Sequence, residues 1–164
     1  MQHTLLALVE DKPGVLNRVA SLFRRRAFNI ESLTVGRTSD PGVSRMTIVI
    51  DSDDTSADRV VAYLARLVNV LHVEEIGEGP AIARDLALVK VTATADRRAS
   101  LLRIVDETRA HIVDSGEQTV TIEITGEPPH VDAVVDRLSA LGVVEMVRTG
   151  RVAMRRGDVA VSLT

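Results

Sequence analysis

One order of elements is written into this sequence twice. Residues 4–9 form a short apolar run, bounded by Glu10-Asp11-Lys12-Pro13-Gly14, and read as a strand. Val15, Leu16, Val19, Ala20, Leu22 and Phe23 then recur at helical spacing, with Arg18 and Arg24–Arg26 on the other side. Asp11 suits an N-cap, and Pro13 suits a first turn, where its missing N–H is not needed. A strand is expected over 28–36, a turn at Ser39-Asp40-Pro41-Gly42, and an alternating strand over 45–51. A second helix carries Val60, Val61, Leu64, Leu67 and Val68, with Thr55 or Ser56 placed to cap it. A strand over 70–76 closes the half. After Gly77-Glu78-Gly79-Pro80 the order returns: strand 86–93, helix 97–109, strands 111–114 and 119–125, helix 131–141 ended by Gly142, and strand 143–148. Pro128-Pro129 stops the strand before the last helix, and a tail follows Gly150.

Each half is thus β-α-β-β-α-β, the split βαβ order of ferredoxin-like folds. The expected architecture is α+β, with two tandem ferredoxin-like domains. Domain one covers 1–77, a linker 78–83, and domain two with a short tail 84–164. Two helices cover one face of each sheet. Apolar residues on both alternations of the strands call for cover on the other face, by a partner layer or a second copy.

Such folds host unrelated functions, so residue chemistry must decide. There is no Cys, which removes disulfides, thiolate catalysis and Cys-ligated zinc. His3, His72, His111 and His130 are scattered, none paired at metal-ligand spacing, so no metal site is expected. No nucleophile elbow, P-loop or dinucleotide fingerprint occurs, so no catalytic residue is assigned. Asp51, Asp53 and Asp54 read as charges favourable to the following helix dipole. The net charge is −3, and aromatics are limited to Phe23, Phe28 and Tyr63, so no nucleic-acid partner is expected. No apolar run is long enough for a membrane helix, and no secretory signal is expected from the alternating segment that follows Met1. Arg24-Arg25-Arg26 suits a helix C-terminus, or contact with an acidic partner.

The segment 10–16 carries the strongest binding signal. Free backbone N–H groups at a helix start can hold a carboxylate. Gly14 leaves room for an approaching ligand, Asp11 offers a counter-charge for an ammonium, and Val15 and Leu16 an apolar wall. Together these describe an amino-acid site. The same residues also describe a generic helix start, and the physics leaves both open.

Asp11-Lys12-Pro13-Gly14-Val15-Leu16-Asn17-Arg18-Val19, followed by Asn29-Ile30-Glu31-Ser32-Leu33, resembles an ACT domain. It is most similar to that of the regulatory small subunit of acetohydroxyacid synthase, also called acetolactate synthase. Ser44-Arg45-Met46-Thr47-Ile48, residues 84–91, and the pieces Gly150-Arg151-Val152 and Arg156-Gly157-Asp158 extend the resemblance over nearly the whole chain. The resemblance implies a cytoplasmic, non-catalytic subunit. It would activate a catalytic large subunit and make it inhibitable by a branched-chain amino acid, usually valine. Thiamine diphosphate, magnesium and FAD would belong to the catalytic subunit alone. The resemblance also implies ACT domains paired edge to edge as a homodimer. Effector residues would be Asp11, Gly14, Val15, Leu16 and Asn17 of one chain, with Asn29 and Ile30 of its mate. A free-standing amino-acid sensor of the same fold is the alternative.

Overall fold

The computed structural model describes residues 1–77 and 81–163, without the side chains of residues 54–56. The expected linker residues 78–80 and the capping side chains of Thr55 and Ser56 lie outside what is described. The chain divides into two compact units, Met1–Ile82 with Arg151–Thr164, and Ala83–Gly150.

The first unit contains β1 (Gln2–Glu10), α1 (Val15–Arg25), β2 (Ile30–Arg37), β3 (Val43–Asp51), α2 (Asp54–Leu64) and β4 (Val70–Ile76). Its sheet runs β2-β3-β1-β4, all antiparallel, as the split βαβ order requires. Strand periodicity sends Leu5, Ala7 and Val9 of β1 and Met46, Ile48 and Ile50 of β3 to one face. There they meet Val15, Val19, Leu22 and Phe23 of α1 and Ala57, Val60 and Leu64 of α2.

The second unit contains β5 (Ala81–Thr92, whose first two residues fall in the first unit), α3 (Ala95–Thr108), β6 (His111–Ser115), β7 (Thr119–Gly126), α4 (Pro128–Ser139) and β8 (Val143–Arg148). Its sheet runs β6-β7-β5-β8. Ala87, Val89, Val91, Val120, Ile122 and Ile124 pack on Leu101, Ile104, Val131, Val134 and Leu138. Pro128-Pro129 not only ends β7 but opens α4, at positions where an N–H would have no helical partner. The other alternation of β7 is Thr119, Thr121, Glu123 and Thr125. Beside this polar row the same face carries Leu86 and Leu88 of β5 and Val147 of β8, so both alternations of this sheet contain apolar residues, as the sequence suggests.

The tail is structured. Val152–Arg155 forms β9, which pairs with β5, and residues from 151 onward group with the first unit. It lies on the helix-free face of the first sheet. Ala153 and Val161 pack with Leu6 and Ile76. Arg151 donates from Nη1 to Thr4 Oγ1 (2.9 Å) and from Nη2 to Gln2 Oε1 (3.1 Å), and its carbonyl accepts from Thr34 Oγ1 (3.2 Å). Arg45 of β3 donates to the Ala153 carbonyl (2.6 Å), and Arg155 forms a fork on Glu74 of β4 (3.0 and 2.8 Å). All four strands of the first sheet are therefore tied to the tail. The face that the strand pattern left uncovered receives cover from its own chain.

Candidate functional site

The β1–α1 loop starts where β1 loses its partners and ends where α1 begins. Its N-cap is Gly14, with φ +84°, and not Asp11. That left-handed backbone favours glycine, and a Cβ added there would meet no atom within 4 Å. Gly14 is therefore selected by the backbone, and the space above it is open. Pro13 precedes the helix rather than lying in its first turn. The Val15 N–H donates to the Lys12 carbonyl (3.4 Å) and the Arg18 N–H to the Gly14 carbonyl (3.1 Å). Among the described residues, the N–H groups of Leu16 and Asn17 find no acceptor. They are the orphan donors every helix start exposes, here beside a glycine that leaves access to them.

The loop is held from two sides. Asp11 donates its N–H to the Gly42 carbonyl (2.8 Å), joining it to the β2–β3 turn. Glu10 donates its N–H to the Asn69 carbonyl (2.9 Å), while the Asn69 amide donates back to Glu10 Oε2 (2.5 Å). Asn69 also accepts from Arg18 Nη1 (2.6 Å). The Asn69 hydrogen bond, then that of Lys12, holds the Glu10 carboxyl below its usual range. Glu10 and Asn69 were missed by sequence reasoning. Nothing in the local pattern near Glu10 signals a partner on the far side of α2.

The expected site residues separate into distinct environments. Asp11 is partly exposed and ion-paired with Arg37 (3.1 Å), so it is neither cap nor free counter-charge. Leu16 and Asn17 are exposed, Leu16 at 47%. Val15 is only 4% exposed and faces the helix–sheet core. The 3.6-residue period that exposes Leu16 turns its neighbour inward. Asn29 is exposed and donates to Glu31 Oε1 (3.1 Å), and Ile30 is half-buried at the start of β2. These two lie beyond the C-terminal end of α1. An 11-residue helix, about 16 Å long, separates them from the loop within one chain.

In the second unit Asp85 is a buried charged group, 5% exposed. It accepts from Arg148, which also donates to Asp132 of α4 (2.6 Å). Burial opposes the Arg148 charge, but the hydrogen bonds to Asp132 and Asp85 outweigh it and raise its pKa above the ordinary value. This is a clamp between strands and helix, with no reactive group beside it. Among the described residues no cluster of His, Asp and Glu is arranged to hold a metal ion, and no helix is long and apolar enough to cross a membrane.

Comparisons with known proteins agree across both halves. Residues 5–72 match the family described as an AHAS small subunit-like ACT domain, and residues 84–157 match the small subunit of acetolactate synthase. The chain is 46% identical over 158 residues to a probable acetolactate synthase small subunit of Archaeoglobus fulgidus, covering 96% of this chain and 99% of that one. It is 44% identical to the acetolactate synthase small subunit of Mycolicibacterium smegmatis, covering 94% and 91%. The crystal structure of the acetolactate synthase small subunit from Thermotoga maritima superposes with a TM-score of 0.89 at 37% identity, covering 97% and 99%.

Proposed function

This chain belongs to the acetolactate synthase small-subunit family, and from that premise we propose that it is a non-catalytic regulatory subunit. It binds a thiamine-dependent catalytic large subunit in the cytoplasm, raises its activity, and makes it inhibitable by valine. The observation that carries the reading is the β1–α1 loop, where two unpaired backbone N–H groups open beside Gly14. A free amino-acid carboxylate fits that environment, because it supplies the acceptors that a helix start lacks. The likeness to the small-subunit family over 84–157, outside the ACT half, favours this over a free-standing sensor.

The effector site requires two copies. Loop residues Asp11, Gly14, Leu16 and Asn17 come from one chain and Asn29 and Ile30 from its mate, since α1 holds the two groups apart in a single chain. Edge pairing of two copies supplies the geometry. For the effector ammonium to use Asp11, it must share that carboxylate with Arg37 or displace it.

The test is Gly14→Asp and Gly14→Ala in the enzyme reconstituted with its large subunit. Both substitutions strain a backbone at φ +84°, costing about 1 kcal/mol. Only the aspartate adds a negative charge where the carboxylate would sit. Gly14→Asp is expected to abolish valine inhibition while retaining activation, with Gly14→Ala weakening inhibition less. Normal valine inhibition in Gly14→Asp overturns the site. Loss of activation in both variants makes the loop a structural element only.

A further inference from the structure

The exposed side of the first unit's helices carries six arginines, of which, among the described residues, only Arg18 feels a nearby carboxylate, that of Glu10 across Asn69. On α1 the buried stripe is Val15, Val19, Leu22 and Phe23. At about 100° per residue, Arg24 falls opposite that stripe, with Arg18 and Arg25 on one flank. Arg18 reaches Asn69, in the segment after α2, and the Arg26 guanidinium lies 4.1 Å over the Tyr63 ring of α2. That flank therefore borders α2. On α2 the buried Ala57, Val60 and Leu64 leave Arg59 outward, and Arg66 follows the helix. All six arginines are exposed. They are six of the nine basic residues in 1–80 of a chain whose net charge is −3.

Among the described residues none of the six is paired with a carboxylate. α1 holds no acidic residue, and Asp58 lies on the flank of α2 away from α1. The C-terminal dipole of α1 favours Arg24 to Arg26, but it gives no reason for Arg18 or Arg59. The second unit is an internal control. Its helices α3 and α4 mix Asp96, Asp106, Glu107, Asp132 and Asp136 with Arg97, Arg98, Arg103 and Arg137, and Arg137 bridges to Glu107 (2.5 Å). The same fold in the same chain is thus built with balanced helices. A one-signed face within a few screening lengths of itself opposes folding.

We infer that the α1–α2 face of the first unit docks a carboxylate-rich protein surface, which, on the function proposed above, is that of the catalytic large subunit. Arginine's planar fork matches carboxylates bidentately and sheds its hydration more readily than lysine. A nucleic acid fits worse. Phe23 is buried, the Tyr63 ring is covered by Arg26, and the face offers no free aromatic platform for bases.

The test measures binding of the full chain to the purified large subunit at about 50 mM and about 300 mM salt. Three proteins are compared: wild type, the triple variant Arg24→Glu/Arg59→Glu/Arg66→Glu, and the same three positions changed to Lys. The glutamate variant is expected to bind about 30-fold or more weakly at low salt, with a flatter salt dependence, through slower association. The lysine variant is expected to bind between the two, keeping the charge and the steep salt dependence but losing the bidentate fork. Valine titration and thermal unfolding monitor folding of each variant. If the triple variant does not fold, the single changes Arg24→Glu and Arg59→Glu replace it, each expected to weaken binding about threefold or more. Equal binding by wild type and a folded glutamate variant overturns the inference and leaves the proposed function standing. Wild type failing to bind the large subunit overturns the proposed function itself, and the inference with it. Tighter wild-type binding to a single-stranded DNA oligonucleotide than to the large subunit also overturns the inference.

Discussion

Neighbouring residues of the β1–α1 loop do different work, and the helix period assigns it. Val15 belongs to the core and Leu16 to the surface, although the sequence offers both as one apolar wall. Val15→Ala removes buried methyl groups and is expected to lower stability by about 1–2 kcal/mol, with effector affinity per folded molecule unchanged. Leu16→Ala, at an exposed position, is expected to change stability by less than about 0.5 kcal/mol while weakening valine binding. Denaturant unfolding and calorimetry on the two variants check this, and the reverse pattern would place the wall at Val15. Gly14 was legible as a candidate contact position. Its left-handed φ was not, because glycine in a sequence does not say which of its allowed conformations the chain has taken.

Among the elements, β9 was unreadable from its own four residues. Val152–Arg155 holds one arginine and is flanked by Arg151 and Arg156, which alone suggests a solvated tail. It is ordered by groups far away in sequence, above all by Glu74 of β4. Hydrogen bonding to Arg155 is the main cause that holds the Glu74 carboxyl below its ordinary value of 4.5, against the effect of burial. A depressed carboxylate stabilises the folded form above its unfolded pKa, and that contribution is lost as pH falls through the folded value. Attachment of the tail is therefore expected to be intact at pH 5 and above and to weaken below about pH 4.5. Hydrogen-exchange protection of the 152–155 amides should drop in acid for the wild type. In Glu74→Gln it should already be reduced at neutral pH and show no further acid step of this origin. Full protection in Glu74→Gln would mean that the apolar contact of Ala153 with Leu6 and Ile76 holds the tail alone.

For the whole molecule, the tail changes the reason to expect a dimer. The first sheet's helix-free face no longer demands one, since Ala153, Val161 and the three arginines Arg45, Arg151 and Arg155 serve it. The remaining reasons are the edge strand β2, with backbone groups free on one side and Val35 43% exposed, and an effector site split across α1. Sedimentation is expected to give about twice the 17.8 kDa chain mass at micromolar concentration. Deleting residues 151–164 should leave that edge-paired mass in place while exposing Leu6 and Ile76. A purely monomeric wild type would remove the two-chain effector site.

The sequence by itself determined the two βαββαβ repeats, the helix-facing cores and the loop at residues 10–17, because each rests on local periodicity, turn chemistry and helix-start signals. Those are properties of contiguous residues. Only the tertiary structure decided that Gly14 caps α1, that Asp11 pairs with Arg37, that Asn69 braces Glu10, and that the tail crosses the first sheet. Each of these joins groups whose meeting depends on how strands and helices pack, which no local pattern encodes. The arginines show the same division: the sequence shows Arg24–Arg26 as a run, but packing of α1 beside α2 gathers them with Arg18, Arg59 and Arg66 on one face.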